Sequence, residues 1–241
     1  MSRFGSGLDV TKNRLKVSLP KSHRISEEVA TNGYIFLEGD SPATSSDEAI
    51  SSLGDVEKLE GFEEIQELTP KDCCATTLNS YSGNFGLQEF PYHTDMAHWF
   101  LPPKYLALRC VFGSQNVKTR LIDGLSMLTA IGEENLSRTL VQPRRPINGE
   151  KPILRLAEKL DERRFRIRWD SLFIKPCSSF SIDIYSQVVE YLSSVRPFEF
   201  NLSKPGDTLI VDNWRMLHGR SSVPRADTSR VIHRAYLSSL K

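Results

Sequence analysis

The sequence predicts a mainly β protein with flanking helices, arranged as a distorted jelly roll. Many short strand-like segments follow one another at even spacing, separated by turn residues, and helical segments are few. A double-sheet jelly roll is one way in which an all-β chain limits open sheet edges. No linker or internal repeat divides the 241 residues, so we expect a single domain over residues 1–241.

The first half of the chain gives alternating strand and helix signals. The predicted elements, in order, are a loose strand at 15–19, a short helix at 26–30 that stops at Asn32-Gly33, a strand at 33–39, a helix from Ser45 to Gly54, and a strand and turn within 64–77. Ser45 is an N-cap residue type, and glycine commonly ends a helix. Polar and small residues at 79–86 predict a loop.

The second half of the sequence predicts further strands, helical stretches and one clear amphipathic helix. Strands are predicted at 104–112, 119–123, 152–158, 163–169 and 230–238, with helical stretches at 124–140. The strands at 198–202 and 208–212 are predicted to form a hairpin around residues 204–207. A helix at 181–194 has an apolar stripe formed by Ile184, Tyr185, Val188, Val189 and Leu192.

Composition indicates an ordinary soluble protein that binds neither nucleic acid nor membrane. Of its residues 39% are hydrophobic and 25% charged, and the net charge is +1. Nucleic-acid binding would call for a basic stripe; we interpret the arginines at 163, 164, 166 and 168 as a solvated strand face. Without a membrane-length apolar run or a signal-peptide pattern, we expect a cytoplasmic protein. The sequence does not indicate an oligomeric state.

Four cysteines, at 73, 74, 110 and 177, lack the spacing of a zinc site. Two of them are adjacent, which suits a tetrahedral site poorly. We interpret all four as reduced thiols, with Cys110 in the core.

A candidate metal site is carried by His93 and Asp95. On extended backbone the two side chains point to the same face, because side chains alternate with period two. His218, which follows the buried strand at 208–212, is the best candidate for a third ligand. Two imidazoles and one carboxylate leave coordination positions open, as in non-heme Fe(II) oxygenases. An isolated His-x-Asp also occurs by chance in many proteins.

Other histidines compete for the same role. His98 would share a helix face with Asp95, but Pro91 before the motif favours extended backbone, so we rank it second. His233 alternates with Arg230 and Arg234 and is interpreted as a packing residue or one just behind the ligands. His23 lies in a polar stretch and is expected at the surface.

The chain resembles the taurine/alpha-ketoglutarate dioxygenase (TauD/TfdA) family of Fe(II)- and 2-oxoglutarate-dependent oxygenases. The matching segments are His93-Thr94-Asp95, residues 102–110, residues 119–124, residues 212–220, and Arg230 twelve positions after His218. The Pro-Pro-x-Tyr run and Met96-Ala97-His98 are similar to the clavaminate synthase-like amino-acid oxygenases. Those enzymes usually carry glutamate at the position of Asp95.

The resemblance implies a double-stranded β-helix and a set of roles. His93, Asp95 and His218 would ligate iron, and Arg230 with Thr119 would hold the distal carboxylate of 2-oxoglutarate. Arg234 would face an anionic group of the primary substrate. In this family O2 oxidises 2-oxoglutarate to succinate and CO2, and hydroxylation of a small-molecule substrate is the default outcome.

The polar loop before the metal motif supplies further candidates. Such loops often reach a binding site from a rigid scaffold, so Tyr81, Asn84 and Gln88 are candidate substrate contacts. The same loop is also compatible with a simple strand connection.

Two other classes of function use the same ligands. A jelly-roll protein can bind a metal or organic acid without turnover, and a zinc hydrolase uses three ligands to activate water. Neither accounts for Arg230 and Thr119. A small amino-acid-like or anionic metabolite is the substrate that the basic residues favour.

Overall fold

The computed structural model describes residues 21–73 and 80–241, with only the backbone described at 21–23. The strand predicted at 15–19, the end of the turn predicted before 77, and the position of the His23 side chain lie outside the described residues.

Short antiparallel strands make up most of the described chain. The strands are β1 (Tyr34–Leu37), β2 (Gly54–Val56), β3 (Gln66–Leu68), β4 (Phe90–His93), β5 (Tyr105–Phe112), β6 (Thr119–Asp123), β7 (Leu140–Pro143), β8 (Leu154–Arg155), β9 (Ala157–Lys159), β10 (Phe165–Ile167), β11 (Ile174–Pro176), β12 (Phe198–Phe200), β13 (Thr208–Asp212), β14 (Met216–Arg220) and β15 (Val231–Leu240). The helices are α1 (Lys21–Asn32), α2 (Ser46–Leu53), α3 (Tyr81–Phe85), α4 (Gly124–Ile131), α5 (Glu133–Arg138) and α6 (Ser179–Ser194), with a 3-10 turn at Arg225–Asp227.

Two large sheets carry the fold. One runs β1-β13-β5-β15-β2, with β3 also paired to β15, and the other runs β12-β6-β14-β4. Neighbouring strands in both sheets are antiparallel. Smaller sheets join β9 to β10 and β7 to both β8 and β11. The mainly β class with flanking helices is therefore confirmed.

One hydrophobic core lies between the two large sheets. Apolar side chains of β5, β13 and β15 meet those of β6 and β14, among them Leu106, Val211, Ile232, Leu121 and Met216. Each such side chain contributes about 1.5–3 kcal/mol when fully buried. Cys110 is buried in this cluster, as predicted. The inner faces also carry the polar residues of the site.

Helices cover the outer faces. Ile25 and Val29 of α1 pack with Leu53 of α2 against β1 and β13. On the other side, Ile184 and Val188 of α6 join a cluster around Trp169. Val189 was predicted to belong to this stripe but is exposed, so its assignment was wrong.

The predicted hairpin at 198–212 was wrong. The turn exists, because Asp207 N–H donates to Lys204 O and Gly206 has a φ of +90°. However, β12 pairs with β6 and β13 pairs with β1 and β5, so the connection crosses from one sheet to the other. Buried Leu202 lies between the sheets at this crossing. An alternating pattern indicates a strand but does not say which sheet it joins.

Two local expectations are also corrected. The segment predicted as a loop before the metal motif contains helix α3, which Ser80 caps by accepting a hydrogen bond from Gly83 N–H at 3.0 Å. The arginines at 163–168 are not a uniform solvated face, because Arg166 and Arg168 are buried. Arg168 donates to the carbonyl oxygens of Ala97, Trp99 and Phe100.

No helix in residues 21–73 and 80–241 is long and apolar enough to cross a bilayer.

Candidate metal centre and its cavity

His93 and His218 face each other across paired strands. His93 ends β4 and lies opposite His218 of β14 in the antiparallel register. A Cβ at Gly219, the next residue of β14, would lie 2.8 Å from Phe90 O, so a larger residue there would push the strands apart. The sequence thus allows the close strand approach that brings the two imidazoles together.

Asp95 completes the cluster from a turn. Its Oδ1 lies 3.6 Å from His93 Nε2 and 3.5 Å from His218 Nε2. One ligand atom from each residue lies within 4.8 Å of the others, and all three residues are buried. The expected extended backbone ends at His93, and the following turn, with Met96 at a φ of +56°, brings Asp95 to the same point.

Buried polar contacts fix this turn. The Asn213 carboxamide accepts from Asp95 N–H at 2.7 Å and donates to Asp95 O at 3.0 Å. Thr94 N–H donates to Trp169 O at 2.8 Å, and Trp169 N–H donates to Thr94 Oγ1 at 3.1 Å. The site therefore rests on rigid connections to two other parts of the chain.

The imidazoles present the atoms that a metal needs. His93 Nδ1 lies 2.8 Å from Pro91 O, so Nδ1 carries the proton and Nε2 keeps its lone pair in the neutral ring. The Tyr81 ring stacks on His93, with centroids 4.0 Å apart. Burial and the neighbouring His93 lower the pKa of His218, which favours the neutral, ligating form.

Asp95 is held as a carboxylate. Burial alone would raise the pKa of Asp95, but the Arg234 guanidinium and His218 outweigh it and keep that pKa well below its usual range. Arg234 Nη1 lies 3.4 Å from Asp95 Oδ2, and the Tyr236 hydroxyl donates to the same oxygen at 2.8 Å. Burial alone would lower the pKa of His93, but its hydrogen bond to Asp95 outweighs burial and raises that pKa. In their neutral forms the two imidazoles, with the charged carboxylate, are a suitable donor set for a divalent cation.

A cavity of about 830 Å³ opens over this cluster. Alternate residues of the last strand line it, as the period-two argument predicts, namely Ile232, Arg234 and Tyr236, with Arg230 just before the strand. His233 points the other way, with Nε2 3.9 Å from Glu67 Oε2, and takes no part in the cluster.

Arg230 and Thr119 are buried on this cavity wall. The Arg230 Nε is buried without a hydrogen-bond partner among the described residues. Burial lowers the pKa of Arg230 to about 10. A buried guanidinium without a carboxylate is costly, so this part of the cavity favours an anion.

The other predicted site residues divide into two groups. Arg234, Tyr81 and Asn84 line the cavity. Gln88 lines instead a smaller neighbouring cavity of about 400 Å³. His98 also lines the main cavity but lies outside the His-Asp-His cluster, with its ring centroid 5.4 Å from that of Phe173.

Arg220 has a supporting position. Its guanidinium lies 3.6 Å from the Phe90 ring centroid and donates to Gly86 O and Gln88 O. These contacts fix the segment between α3 and β4 beside the cluster.

Sequence reasoning missed several residues of the site. Asn213 belongs to residues 212–220, which carry the family resemblance, and its position before His218 was the only available signal. Tyr236 follows Arg234 by two positions on one strand, so alternation alone could have placed it on the cavity. Asp170, Arg144 and Arg145 come from segments far from the motifs, and only the tertiary fold brings them to the cavity.

A buried two-histidine, one-carboxylate cluster between antiparallel sheets is typical of non-heme iron oxygenases. No protein-family model matches the sequence, and no curated protein sequence matches it either. Solved structures do match the fold, and among them are the three oxygenases that follow.

The chain is similar to an asparagine oxygenase in complex with Fe(II), 2S,3S-3-hydroxyasparagine and succinate, at 16% identity and a TM-score of 0.69, covering 89% of this chain and 78% of that one. It is also similar to PvcB from Pseudomonas aeruginosa, at 17% identity and a TM-score of 0.66, covering 93% of this chain and 83% of that one. OrfP in complex with Fe, succinate and (3S)-hydroxy-L-Arg matches at 17% identity and a TM-score of 0.64, covering 89% of this chain and 78% of that one. At these identities the likeness establishes the shared fold.

Proposed function

We propose that the protein is an Fe(II)- and 2-oxoglutarate-dependent oxygenase. The observation that carries this proposal is the buried His93, Asp95 and His218 cluster, which opens into the same cavity as Arg230, whose Nε is buried without a partner among the described residues. The three ligands would hold the ferrous ion. When bound, iron with 2-oxoglutarate and O2 supplies the oxidising power for hydroxylation, and the protein supplies the binding groups and their orientation.

Arg230 and Thr119 are the proposed site for the distal carboxylate of 2-oxoglutarate. A guanidinium forms a charge-assisted, bidentate pair with a carboxylate, and a threonine hydroxyl can donate a further hydrogen bond. Such a pair offsets the desolvation of Arg230, which no described acidic side chain does. A zinc hydrolase or a binding protein that lacks the keto acid would leave this buried cation without a partner.

The substrate is proposed to be a small amino-acid-like or anionic molecule. Six cationic and three acidic side chains are among the described residues that line the cavity, namely Lys71, Arg144, Arg145, Arg220, Arg230 and Arg234, with Glu67, Asp95 and Asp170. This excess of positive charge favours an anionic ligand. Arg234 is the proposed partner of a substrate carboxylate, with Tyr81 and Asn84 as neighbouring contacts. The asparagine oxygenase and OrfP are complexed with hydroxylated amino acids.

The finer architecture belongs to the same proposal. We infer that the two large sheets form a distorted jelly roll, the double-stranded β-helix, with residues 1–241 acting as one oxygenase domain. The antiparallel pairing within both sheets and the shared core between them support it. Cys73, Cys110 and Cys177 are free thiols, which suits the reducing cytoplasm as the site of action.

The test is turnover of the keto acid by the full chain. Protein reconstituted with Fe(II) should convert 2-oxoglutarate to succinate in air, and a panel of amino acids and organic acids should contain compounds that increase succinate release. A His218→Ala protein should release none. If wild-type protein with bound metal forms no succinate with any compound, the oxygenase proposal fails and a zinc hydrolase or binding protein takes its place.

A further inference from the structure

The two oxygens of Asp95 have different surroundings. Oδ1 faces the imidazoles, at 3.6 Å from His93 Nε2 and 3.5 Å from His218 Nε2. Oδ2 faces away from them and contacts Tyr236 and Arg234. A carboxylate free to rotate would present either oxygen, or both, to a cation. The protein therefore discriminates between the two oxygens before any ion binds.

Tyr236 makes the shorter of the two contacts with Oδ2. Its hydroxyl donates at 2.8 Å, and its ring is buried in the core between the two large sheets. The strand register places it opposite Leu106 of β5, and both side chains belong to the same buried cluster, whose packing holds the ring in place. A phenol hydroxyl is a hydrogen-bond donor, and the Asp95 carboxylate oxygen can only accept, so the proton of this contact belongs to Tyr236.

Arg234 supports the same oxygen less directly. Its Nη1 lies 3.4 Å from Oδ2, while Gln66 Oε1 accepts from Arg234 Nη2 at 2.7 Å and from Nε at 3.2 Å. Gln66 lies opposite Arg234 where β3 pairs with β15. Arg234 therefore donates its two shorter hydrogen bonds to Gln66. Tyr236 makes the shorter hydrogen bond to Asp95.

We propose that Tyr236 is a positioning residue that makes Asp95 a single-oxygen metal ligand. The inference rests on the proposed function, because it requires a metal at the cluster. By holding Oδ2 away, the hydroxyl keeps a coordination position open for the keto acid and fixes the orientation of Oδ1. Hydrogen-bond partners of metal ligands commonly change metal affinity by about 10- to 100-fold when they are removed.

Tyr236→Phe removes the hydroxyl and keeps the ring that fills the core. The matched control is Tyr34→Phe, which alters a tyrosine of β1 that packs against Phe198 and Phe200 and does not line the cavity. Co(II) is the probe, because its visible absorption reports coordination number and it does not oxidise during titration. The measurements are the Co(II) dissociation constant and the visible spectrum of each full-length protein, with circular dichroism and melting temperature to establish folding.

We expect Tyr236→Phe to bind Co(II) about 10- to 100-fold more weakly than wild type and to show weaker visible absorption, because a released Asp95 can add its second oxygen. Tyr34→Phe should match wild type in both. A loss of packing alone would lower the melting temperature without changing the spectrum. A second variant, Gln66→Ala, keeps the Tyr236 hydroxyl and should keep the wild-type spectrum.

Two results overturn the inference alone. One is a folded Tyr236→Phe protein with wild-type Co(II) affinity and spectrum. The other is a Gln66→Ala protein whose spectrum changes as much as that of Tyr236→Phe, since that would assign the orientation of Asp95 to Arg234. Failure of wild-type protein to bind Co(II) at all would overturn the metal site itself and this inference with it.

Discussion

The side chain of Asn213 binds both backbone groups of Asp95, accepting from its N–H at 2.7 Å and donating to its carbonyl at 3.0 Å. A third contact, from Asn213 Nδ2 to Pro103 O at 2.9 Å, ties the same carboxamide to the segment just before β5. Residues 118 positions apart in the chain are thereby fixed relative to each other. Because His218 follows Asn213 by five residues, this contact also sets the distance between Asp95 and the second histidine.

Asn213→Ala should therefore lower both stability and metal affinity. Three buried hydrogen bonds are lost and the Asp95 N–H is left without its partner, so we expect a decrease of about 2–4 kcal/mol in the free energy of unfolding. Urea unfolding measures this decrease. Asn116→Ala, at an exposed asparagine that bonds Asp227, should change stability by less than about 1 kcal/mol. Equal effects in the two variants would contradict a special role for Asn213.

Arg230→Met should separate the keto-acid site from the metal site. Loss of a bidentate, charge-assisted pair of about 2–3 kcal/mol would weaken 2-oxoglutarate binding about 30- to 150-fold. Without 2-oxoglutarate the variant should be no less stable than wild type, because it removes a buried cation that has no described partner. Calorimetric titration and thermal unfolding, with and without 2-oxoglutarate, measure both effects. Arg138→Met, at an exposed helix position, is the control.

If Arg230→Met bound 2-oxoglutarate as tightly as wild type, the assignment of the distal carboxylate site would be wrong. A large loss of stability in the variant would instead indicate that Arg230 has a structural partner.

Arg234→Ala should affect the primary substrate and spare the keto acid. Arg234 lies beside the metal cluster, whereas Arg230 precedes the strand by one residue and lies farther along the same cavity wall. We expect 2-oxoglutarate affinity within a few-fold of wild type, and loss of the increase in succinate release that substrate produces. Steady-state assays with the active compound from the screen measure this coupling. Substrate-stimulated turnover equal to wild type would contradict the proposed contact.

The stability of the protein should depend on pH through Asp212. Burial raises the pKa of Asp212 from 3.8 to about 6, although Trp214 N–H donates to its carboxylate. A raised carboxyl pKa means that the folded state binds the proton more tightly than the unfolded state. The stabilisation of the folded state by this proton is present below about pH 4 and is lost as pH rises to about 6.

Asp212→Asn should accordingly become more stable relative to wild type as pH rises from 4 to 6.5. The gain of the variant over wild type in the free energy of unfolding is at most about 3 kcal/mol, because partial exposure of the residue weakens the effect. Urea unfolding at several pH values measures it. Asp183→Asn, at an exposed position on α6, provides the control. A difference that does not change with pH would contradict the raised pKa.

The local elements were predictable because their signals are local. His93, Asp95 and His218 were singled out as candidate ligands from the sequence, and the structure places one ligand atom of each within 4.8 Å of the others. The strand alternation used for Asp95 did not hold, because β4 ends at His93 and a turn brings Asp95 to the cluster. The position of Arg230 and Arg234 on the same cavity also followed from the two-residue period of side chains along a strand. The mainly β fold class followed from the many short strand signals.

The remaining parts depend on contacts between distant segments. The sheet that β12 joins is decided by the crossing at Leu202, which leaves no periodic signal. Arg168 resembled a solvated residue because its partners are backbone carbonyls of residues 97–100, which sequence cannot show. Asn213 and Tyr236 act through hydrogen bonds to Asp95, and residue type alone does not reveal such partners.

The most direct test of the metal centre is anaerobic addition of Fe(II) and 2-oxoglutarate to the full chain, followed by visible absorption spectroscopy. Wild-type protein should bind one Fe(II) and give the weak charge-transfer band of a chelated keto acid, since the three-residue ligand set leaves coordination positions open. His93→Ala, Asp95→Ala and His218→Ala should remain folded and lose the band, while His98→Ala should keep it. Absence of the band in wild-type protein at saturating Fe(II) and 2-oxoglutarate, or its loss in His98→Ala with retention in Asp95→Ala, would contradict the proposed centre.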